Sequence, residues 1–142
     1  MRRIAFDLDE TLGVPVIDGA TMVGWQIRPG CPELLTSLRQ RFALCLWSVS
    51  SRRYVDKALS FGLCDWFAES YSWDEVPARW KDVRQIKADF LVDDSPQHRE
   101  ASRAFGLESA YIVVPQYGSP EDSADPLAWV RLVESAVGEG RG

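Results

Sequence analysis

The sequence predicts an α/β fold, a central parallel sheet of about five strands with helices on both faces. Three observations predict it. Short apolar runs alternate with amphipathic stretches along the chain, which is the pattern of successive β-α units. Three runs, Ile4-Ala5-Phe6, Ala43 to Trp47 and Phe90-Leu91-Val92, read as buried strands. Each of them ends in polar residues: Asp7 and Asp9, Ser48 and Ser50, Asp93 and Asp94.

The elements follow in order. After the first strand, Val14 to Ile17, an Asp18-Gly19 turn and Ala20 to Val23 read as a β-hairpin, so residues 13–27 form a small flap. Pro15 suits an edge position. A helix starts near Pro32, with Glu33 at its positive end and Leu34, Leu35, Leu38 and Phe42 at helical spacing. The second buried strand then leads to Ser50 or Ser51 as the cap of a helix carrying Tyr54, Val55, Ala58 and Leu59, which stops near Gly62. Phe67 to Tyr71 reads as a short third strand. After the fourth strand a helix runs from about Pro96 to Phe105 and is closed by Gly106. Ala110 to Val114 is the fifth strand, and residues 116–125 read as a polar loop. The last helix begins near Pro126 and buries Leu127, Val130, Leu132 or Val133, and Val137, leaving a frayed tail at 138–142.

A length of 142 residues suits one domain, 1–142, and a hydrophobic fraction of 46% is enough for a useful core. The net charge of −5 argues against broad polyanion binding, although Arg28, Arg52-Arg53 and Arg79-Trp80-Lys81 could build a local basic patch. Solvated surface charge is the plainer alternative. Cys31, Cys45 and Cys64 have no metal-site spacing and read as small buried hydrophobes in a reducing compartment. No apolar run reaches signal-peptide length or the ~20 residues of a membrane span, so a cytoplasmic protein is expected.

In an open α/β sheet, ligands sit beyond the carboxyl ends of the strands. The three polar strand ends therefore converge on one crevice holding four carboxylates, two hydroxyls and a lysine. Clustered carboxylates repel one another and need a cation unless some are protonated. An oxygen-only donor set favours Mg²⁺ over Zn²⁺. Such a metal beside hydroxyls and a lysine makes a phosphate site, and a carboxylate can act there as a nucleophile.

Phe6-Asp7-Leu8-Asp9-Glu10-Thr11-Leu12 resembles the first motif of the haloacid dehalogenase superfamily. Ser48, Lys81 and Asp93-Asp94 match its second, third and fourth motifs in order, so the resemblance covers residues 3 to about 115. Arg28-Pro29-Gly30, Leu46-Trp47-Ser48-Val49-Ser50, Trp80-Lys81-Asp82 and Val92-Asp93-Asp94-Ser95-Pro96 look like the NLI-interacting-factor-like branch, which dephosphorylates the C-terminal domain of RNA polymerase II. That branch usually has Asp-Asn where this chain has Asp93-Asp94, and its flap is longer. The magnesium-dependent phosphatase group, which keeps Asp-Asp, is similar too.

The resemblance implies a Rossmann-like fold and a Mg²⁺-dependent phosphomonoester hydrolase with a phospho-aspartyl intermediate. Asp7 would be the nucleophile and Asp9 the general acid and base. Ser48 and Lys81 would bind phosphate, with Thr11 and Asp93 in support. Asp7, the Asp9 carbonyl and Asp94 would hold the metal, with Asp93 orienting Lys81. Ser48 alone could be a helix cap, Lys87 competes with Lys81, and Asp93-Asp94 could cap a helix while also serving the metal. His98 is expected on a helix surface, and Trp25, Trp47 and Trp73 in core or rim packing.

Many members of the superfamily carry a cap domain. Only the 13–27 flap stands in the first insertion slot here and a still shorter segment in the second, so the chain reads as capless. An open crevice suits a phosphorylated protein first. A nucleic-acid end or nucleotide comes next, and a small phosphate ester would need an oligomer partner as a lid. A phosphotransferase shares the first half-reaction and stays open. A non-catalytic metal- or phosphate-binding module is the reading from another class, although such modules usually lose one of the two aspartates retained here.

Overall fold

The structure is a computed structural model and describes residues 1–139. Five parallel strands form the sheet: β1 (Arg3–Phe6), β4 (Ala43–Trp47), β5 (Glu69–Tyr71), β6 (Phe90–Asp93) and β7 (Tyr111–Val113), in the order β5-β4-β1-β6-β7. β1 is central because Ile4, Ala5 and Phe6 carry nothing polar to expose, and all three are fully buried. The chain leaves β1 toward β4 and β5 and returns on the other side for β6 and β7. The crevice of such a sheet opens at this reversal, beyond the strand ends.

Side-chain alternation divides the core in two. Ile4, Phe6, Leu44, Leu46, Phe90 and Val92 face one way. Against them pack α1 (Cys31–Leu38), α2 (Arg52–Leu59) and α5 (Ala128–Glu139), through Leu34, Leu35, Leu38, Val55, Ala58, Trp129, Val133 and Val137. Ala5, Cys45, Trp47, Leu91 and Tyr111 face the other way. Val83 and Ile86, from a 3-10 turn at Val83–Gln85 and the residue after it, cover them. α3 (Gln97–Ser102) follows β6 and continues as a 3-10 turn to Phe105, closed by Gly106 at φ 70°.

The flap is an antiparallel pair, β2 (Gly13–Asp18) and β3 (Thr21–Ile27). Its turn residues are Gly19-Ala20, one place later than the Asp18-Gly19 turn expected, because a register shift lies at Val16/Ile17 and Asp18 pairs with Thr21. Gly19 supplies the positive φ of 62° that a two-residue turn of this kind needs. At the flap base, a Cβ on Gly13 would stand 2.2 Å from the Gln26 carbonyl oxygen, so only glycine fits. No domain is inserted at either cap position among the described residues.

Four expectations are corrected. Residues 116–125 are not all loop. Pro120–Ala124 form α4, with Ser119 as N-cap accepting from the Asp122 N–H, Pro120 at the first position and two acidic residues in the first turn. α5 turns its Trp129, Val133 and Val137 stripe inward, which decides for Val133 over Leu132, while Leu127, just before the helix, is exposed at 48% rather than buried. Trp129 sets this phase, its indole N–H donating to the Pro29 carbonyl over 3.0 Å. α5 also runs through Gly138 to Glu139, two residues into the expected frayed tail, and residues 140–142 lie outside the described residues.

Cys64 is the fourth correction: it is exposed, whereas Cys31 and Cys45 are buried. Burial pushes both buried thiols from an ordinary value of 9 up to about 12. Native protein should therefore take up a single iodoacetamide label at neutral pH, on Cys64, and three after denaturation, read by mass spectrometry. The same shifts fix a sign. A proton held more tightly when folded stabilises fully below about pH 9, and that stabilisation is lost between about pH 9 and 12. Denaturant midpoints should fall across that window.

Candidate active site

Every residue expected at the site lies at the carboxyl ends of the strands or in the loops beside them. Asp7 directly follows β1, and its N–H donates to the Val92 carbonyl over 2.9 Å. The chain then turns sharply. Glu10 takes a positive φ of 64°, with its N–H on the Gly13 carbonyl and its own carbonyl on the Tyr117 N–H, both at 2.8 Å. That strained residue lets Leu8 and Leu12 drop into the core while Asp7, Asp9 and Thr11 stay at the crevice.

Lys81 is 2% exposed, and its ammonium donates to Asp7 Oδ1 and Asp93 Oδ2, each over 2.9 Å. Burial alone would pull this ammonium down, but the charges of Asp7 and Asp93 outweigh it and hold Lys81 above its usual value. Lys87, the competing lysine, makes no such contact. Asp93 has its second oxygen on the Ser95 N–H at 2.9 Å. Thr11 Oγ1 lies 3.0 Å from both Asp7 Oδ2 and Asp94 Oδ1 and accepts from the Asp94 N–H at 3.1 Å. Its single proton serves one carboxylate at a time.

Asp9 turns the other way. Its carboxylate accepts from the Tyr54 hydroxyl on α2. Burial first, and then the charges of Asp7 and Glu10, raise its pKa above the usual carboxylate value, against the opposing pull of the Tyr54 bond. Two aspartates two positions apart thus have unlike environments, one on an ammonium and one on a phenol. Ser48 is 2% exposed and follows β4, with its N–H on the Tyr71 carbonyl at 2.9 Å and its Oγ accepting from the Ser50 N–H at 3.0 Å. Ser51, not Ser48, is the N-cap of α2, accepting from the Tyr54 N–H at 3.2 Å.

Asp7, Asp93 and Asp94 bring one carboxylate oxygen each within 4.8 Å of one another. Among the described residues only the Lys81 ammonium offsets them, and burial together with contact with Asp7 pushes the Asp94 carboxyl up to about 7. This hard, all-oxygen set with surplus negative charge fits a divalent cation such as Mg²⁺.

Three residues of the site escaped the sequence reading. Tyr54 was placed among the apolar positions of α2, and its hydroxyl reaches Asp9. His98 is buried at 5% exposure rather than on the helix surface. Its Nδ1 accepts from the Lys81 N–H at 2.9 Å, so its proton is on Nε2, 3.7 Å from Asp93 Oδ2. Burial lowers its pKa, so this is a neutral ring beside a carboxylate rather than an ion pair. Tyr111 donates from its hydroxyl to the Lys81 carbonyl at 2.7 Å. The lysine's peptide units are thereby gripped from both sides. One signal was available: Tyr54 and His98 lie in the first turns of the helices that follow Ser48 and Asp94, and such turns border the crevice.

Arg28 does not belong to a surface patch. It is fully buried, donating to Asp122 Oδ1 at 2.9 Å, the Pro115 carbonyl at 2.6 Å and the Thr11 carbonyl at 3.2 Å. Trp47 is buried in the core, Trp25 packs at its edge, and Trp73 is exposed on the rim with its N–H on the Ser50 carbonyl at 2.8 Å.

The sequence profile of the NLI interacting factor-like phosphatases matches residues 3–103. No curated protein matches the sequence. Solved structures share the fold at low identity. One, provisionally named a beta-phosphoglucomutase, from Thermotoga maritima, has a TM-score of 0.66 at 12% identity, over 95% of this chain and 99% of that one. The D,D-heptose 1.7-bisphosphate phosphatase of B. bronchiseptica, complexed with magnesium and phosphate, gives 0.60 at 14% identity, over 95% and 99%. The fission yeast RNA polymerase II CTD phosphatase Fcp1 gives 0.58 at 14% identity, over 82% of this chain but only 42% of that one. This chain thus spans less than half of the chain in that yeast structure.

Proposed function

Because the chain belongs to the NLI interacting factor-like phosphatases of the haloacid dehalogenase superfamily, we propose that it is a Mg²⁺-dependent phosphomonoester hydrolase acting through a phospho-aspartyl intermediate. The observation that carries this reading is the unequal treatment of the two aspartates. Lys81 bridges Asp7 and Asp93 at 2.9 Å, while Asp9 is drawn aside to Tyr54.

Asp7 keeps its carboxylate beside the ammonium and attacks phosphorus in line. The bond from phosphorus to the leaving oxygen breaks, and Asp9, whose raised pKa favours the protonated form, gives that oxygen its proton. Asp9 then takes a proton from the water that attacks the phospho-aspartate, and Asp7 is released. Lys81 and the Ser48 hydroxyl orient the phosphoryl oxygens and offset their charge. Asp93 holds Lys81 in place, and Thr11 steadies Asp7 and Asp94. Asp7, Asp94 and the Asp9 carbonyl would hold the Mg²⁺. Asp94 is chosen over Asp93 because Asp93 is the carboxylate that pairs with Lys81 and accepts from the Ser95 N–H, whereas Asp94 makes no contact with the ammonium among the described residues. When bound, the ion adds Lewis-acid stabilisation of charge on the transferring phosphoryl group.

Without an inserted domain over the crevice, a phosphorylated protein is the substrate class we favour. Three free thiols support a cytoplasmic enzyme, and no helix among the described residues is long and apolar enough to cross a membrane. Hydrolysis of p-nitrophenyl phosphate with Mg²⁺ and with EDTA tests the reaction. Turnover is expected only with Mg²⁺; equal turnover in EDTA would sink the metal assignment, and none in either would sink the enzyme.

A further inference from the structure

A groove of about 680 Å³ lies between the flap tip at Thr21 and Met22 and the face of α2 that carries Arg53, Tyr54, Lys57 and Ser60. Its position follows from Tyr54, which lines the groove and also holds Asp9. On the phosphatase reading, on which this inference rests, Asp9 protonates the leaving oxygen. The body of the substrate therefore departs on the Asp9 side, along this groove.

The charges in the groove do not cancel. Asp56 also lines it, but its carboxylate is paired with Arg52 at 3.1 Å, and Arg52 is further bound by Glu75 and Ser70. Arg53 and Lys57 lie one helical turn apart on the exposed face. Neither has a carboxylate partner among the described residues; Lys57 lies over the Phe61 ring at 5.4 Å. A chain of net charge −5 thus presents two unneutralised cations beside its leaving-group side.

We propose that this groove binds a phosphopeptide bearing acidic side chains next to the phosphorylated residue, with Arg53 and Lys57 as the specificity-determining cations. A nucleic acid fits less well. Single-strand grooves combine a track of cations with several stacking rings, and Tyr54 is the one aromatic side chain lining this groove.

The test uses the full chain and three phosphoserine peptides differing only in flanking Glu, Gln or Lys residues. Wild-type kcat/KM should be about tenfold higher for the Glu-flanked than for the Gln-flanked peptide, mainly through KM, and the preference should shrink as salt rises. In Arg53→Gln/Lys57→Gln the Glu-to-Gln ratio should fall to about one. Equal rates on the Glu and Gln peptides in wild type, or a ratio kept in the double variant, would overturn the assignment. So would faster turnover of a 3′-phosphorylated oligonucleotide, or no turnover of any peptide. Wild-type hydrolysis of p-nitrophenyl phosphate separates the two readings. If it is present without a peptide preference, only this inference fails; if it is absent, the phosphatase reading fails first.

Discussion

Asp7→Asn should lower turnover of p-nitrophenyl phosphate by roughly 10³-fold or more and leave the fold intact. An amide oxygen is far too weak a nucleophile to form the acyl phosphate. The shape, however, can be kept. Asn Oδ1 can accept from Lys81, as Asp7 Oδ1 does now over 2.9 Å. The new NH₂ group would face Thr11 Oγ1, which can turn its proton to Asp94 Oδ1, also 3.0 Å away, and accept from the amide instead. The substitution also removes one negative charge from a crowded group of carboxylates, so thermal stability should hold or rise. Retention of wild-type turnover would refute the nucleophile, and a collapse of Tm alongside lost activity would leave the catalytic argument without support from this variant.

Arg28→Ala should cost about 3–5 kcal/mol, since it strands Asp122 as a buried charge. For a chain of this size that corresponds to a Tm lower by about 10–17 °C. Removal of Arg28 breaks five contacts at once: Asp122, the Pro115 and Thr11 carbonyls, and the Trp129 and Tyr117 rings, whose centroids are 4.7 Å and 5.8 Å from the guanidinium carbon. Among the described residues, Asp122 would keep only the Gly118 N–H at 3.0 Å. The pair is not ideal, because the buried Arg28 Nε–H has no hydrogen-bond partner among them. Net stabilisation is therefore smaller than the cost of removing one member. Arg28→Ala/Asp122→Ala should accordingly be clearly more stable than the sum of the single losses predicts, when all three variants are melted in parallel. A single-variant Tm within about 2 °C of wild type would refute the role.

Strands were legible because burial between helices demands apolar runs, and Ile4 to Phe6 or Ala43 to Trp47 allow little else. The candidate site was legible because a strand end is a fixed place in such a sheet, so polar residues there must face one crevice. Buried polar residues away from those strand-end motifs were illegible. Arg28 and His98 look like surface residues in sequence, and what admits them to the interior are partners at Asp122 and Lys81, chosen by the fold rather than by proximity along the chain. α4 is a different case: Ser119-Pro120-Glu121-Asp122 is a helix start in plain form, and only its brevity made it read as a loop. At α5, Leu127 was the wrong choice, and Leu132 and Val133 could not be told apart in sequence, because a single Trp at 129, hydrogen-bonded to Pro29, decides which stripe turns inward.

The grip on Lys81 also bears on the order in which the protein can become competent as it is made. By Asp94 the ribosome has delivered every side chain assigned a chemical role, yet both groups that fix the lysine's peptide units, His98 and Tyr111, are still to come. The Arg28 counter-charge, Asp122, follows later still. A nascent chain released early would carry all the reagents of the reaction with their carboxylates poorly neutralised and their lysine unplaced. Catalytic geometry is thus completed only by residues made after Asp94, and a truncation between Asp94 and Tyr111 should yield a fragment that is chemically complete and inert.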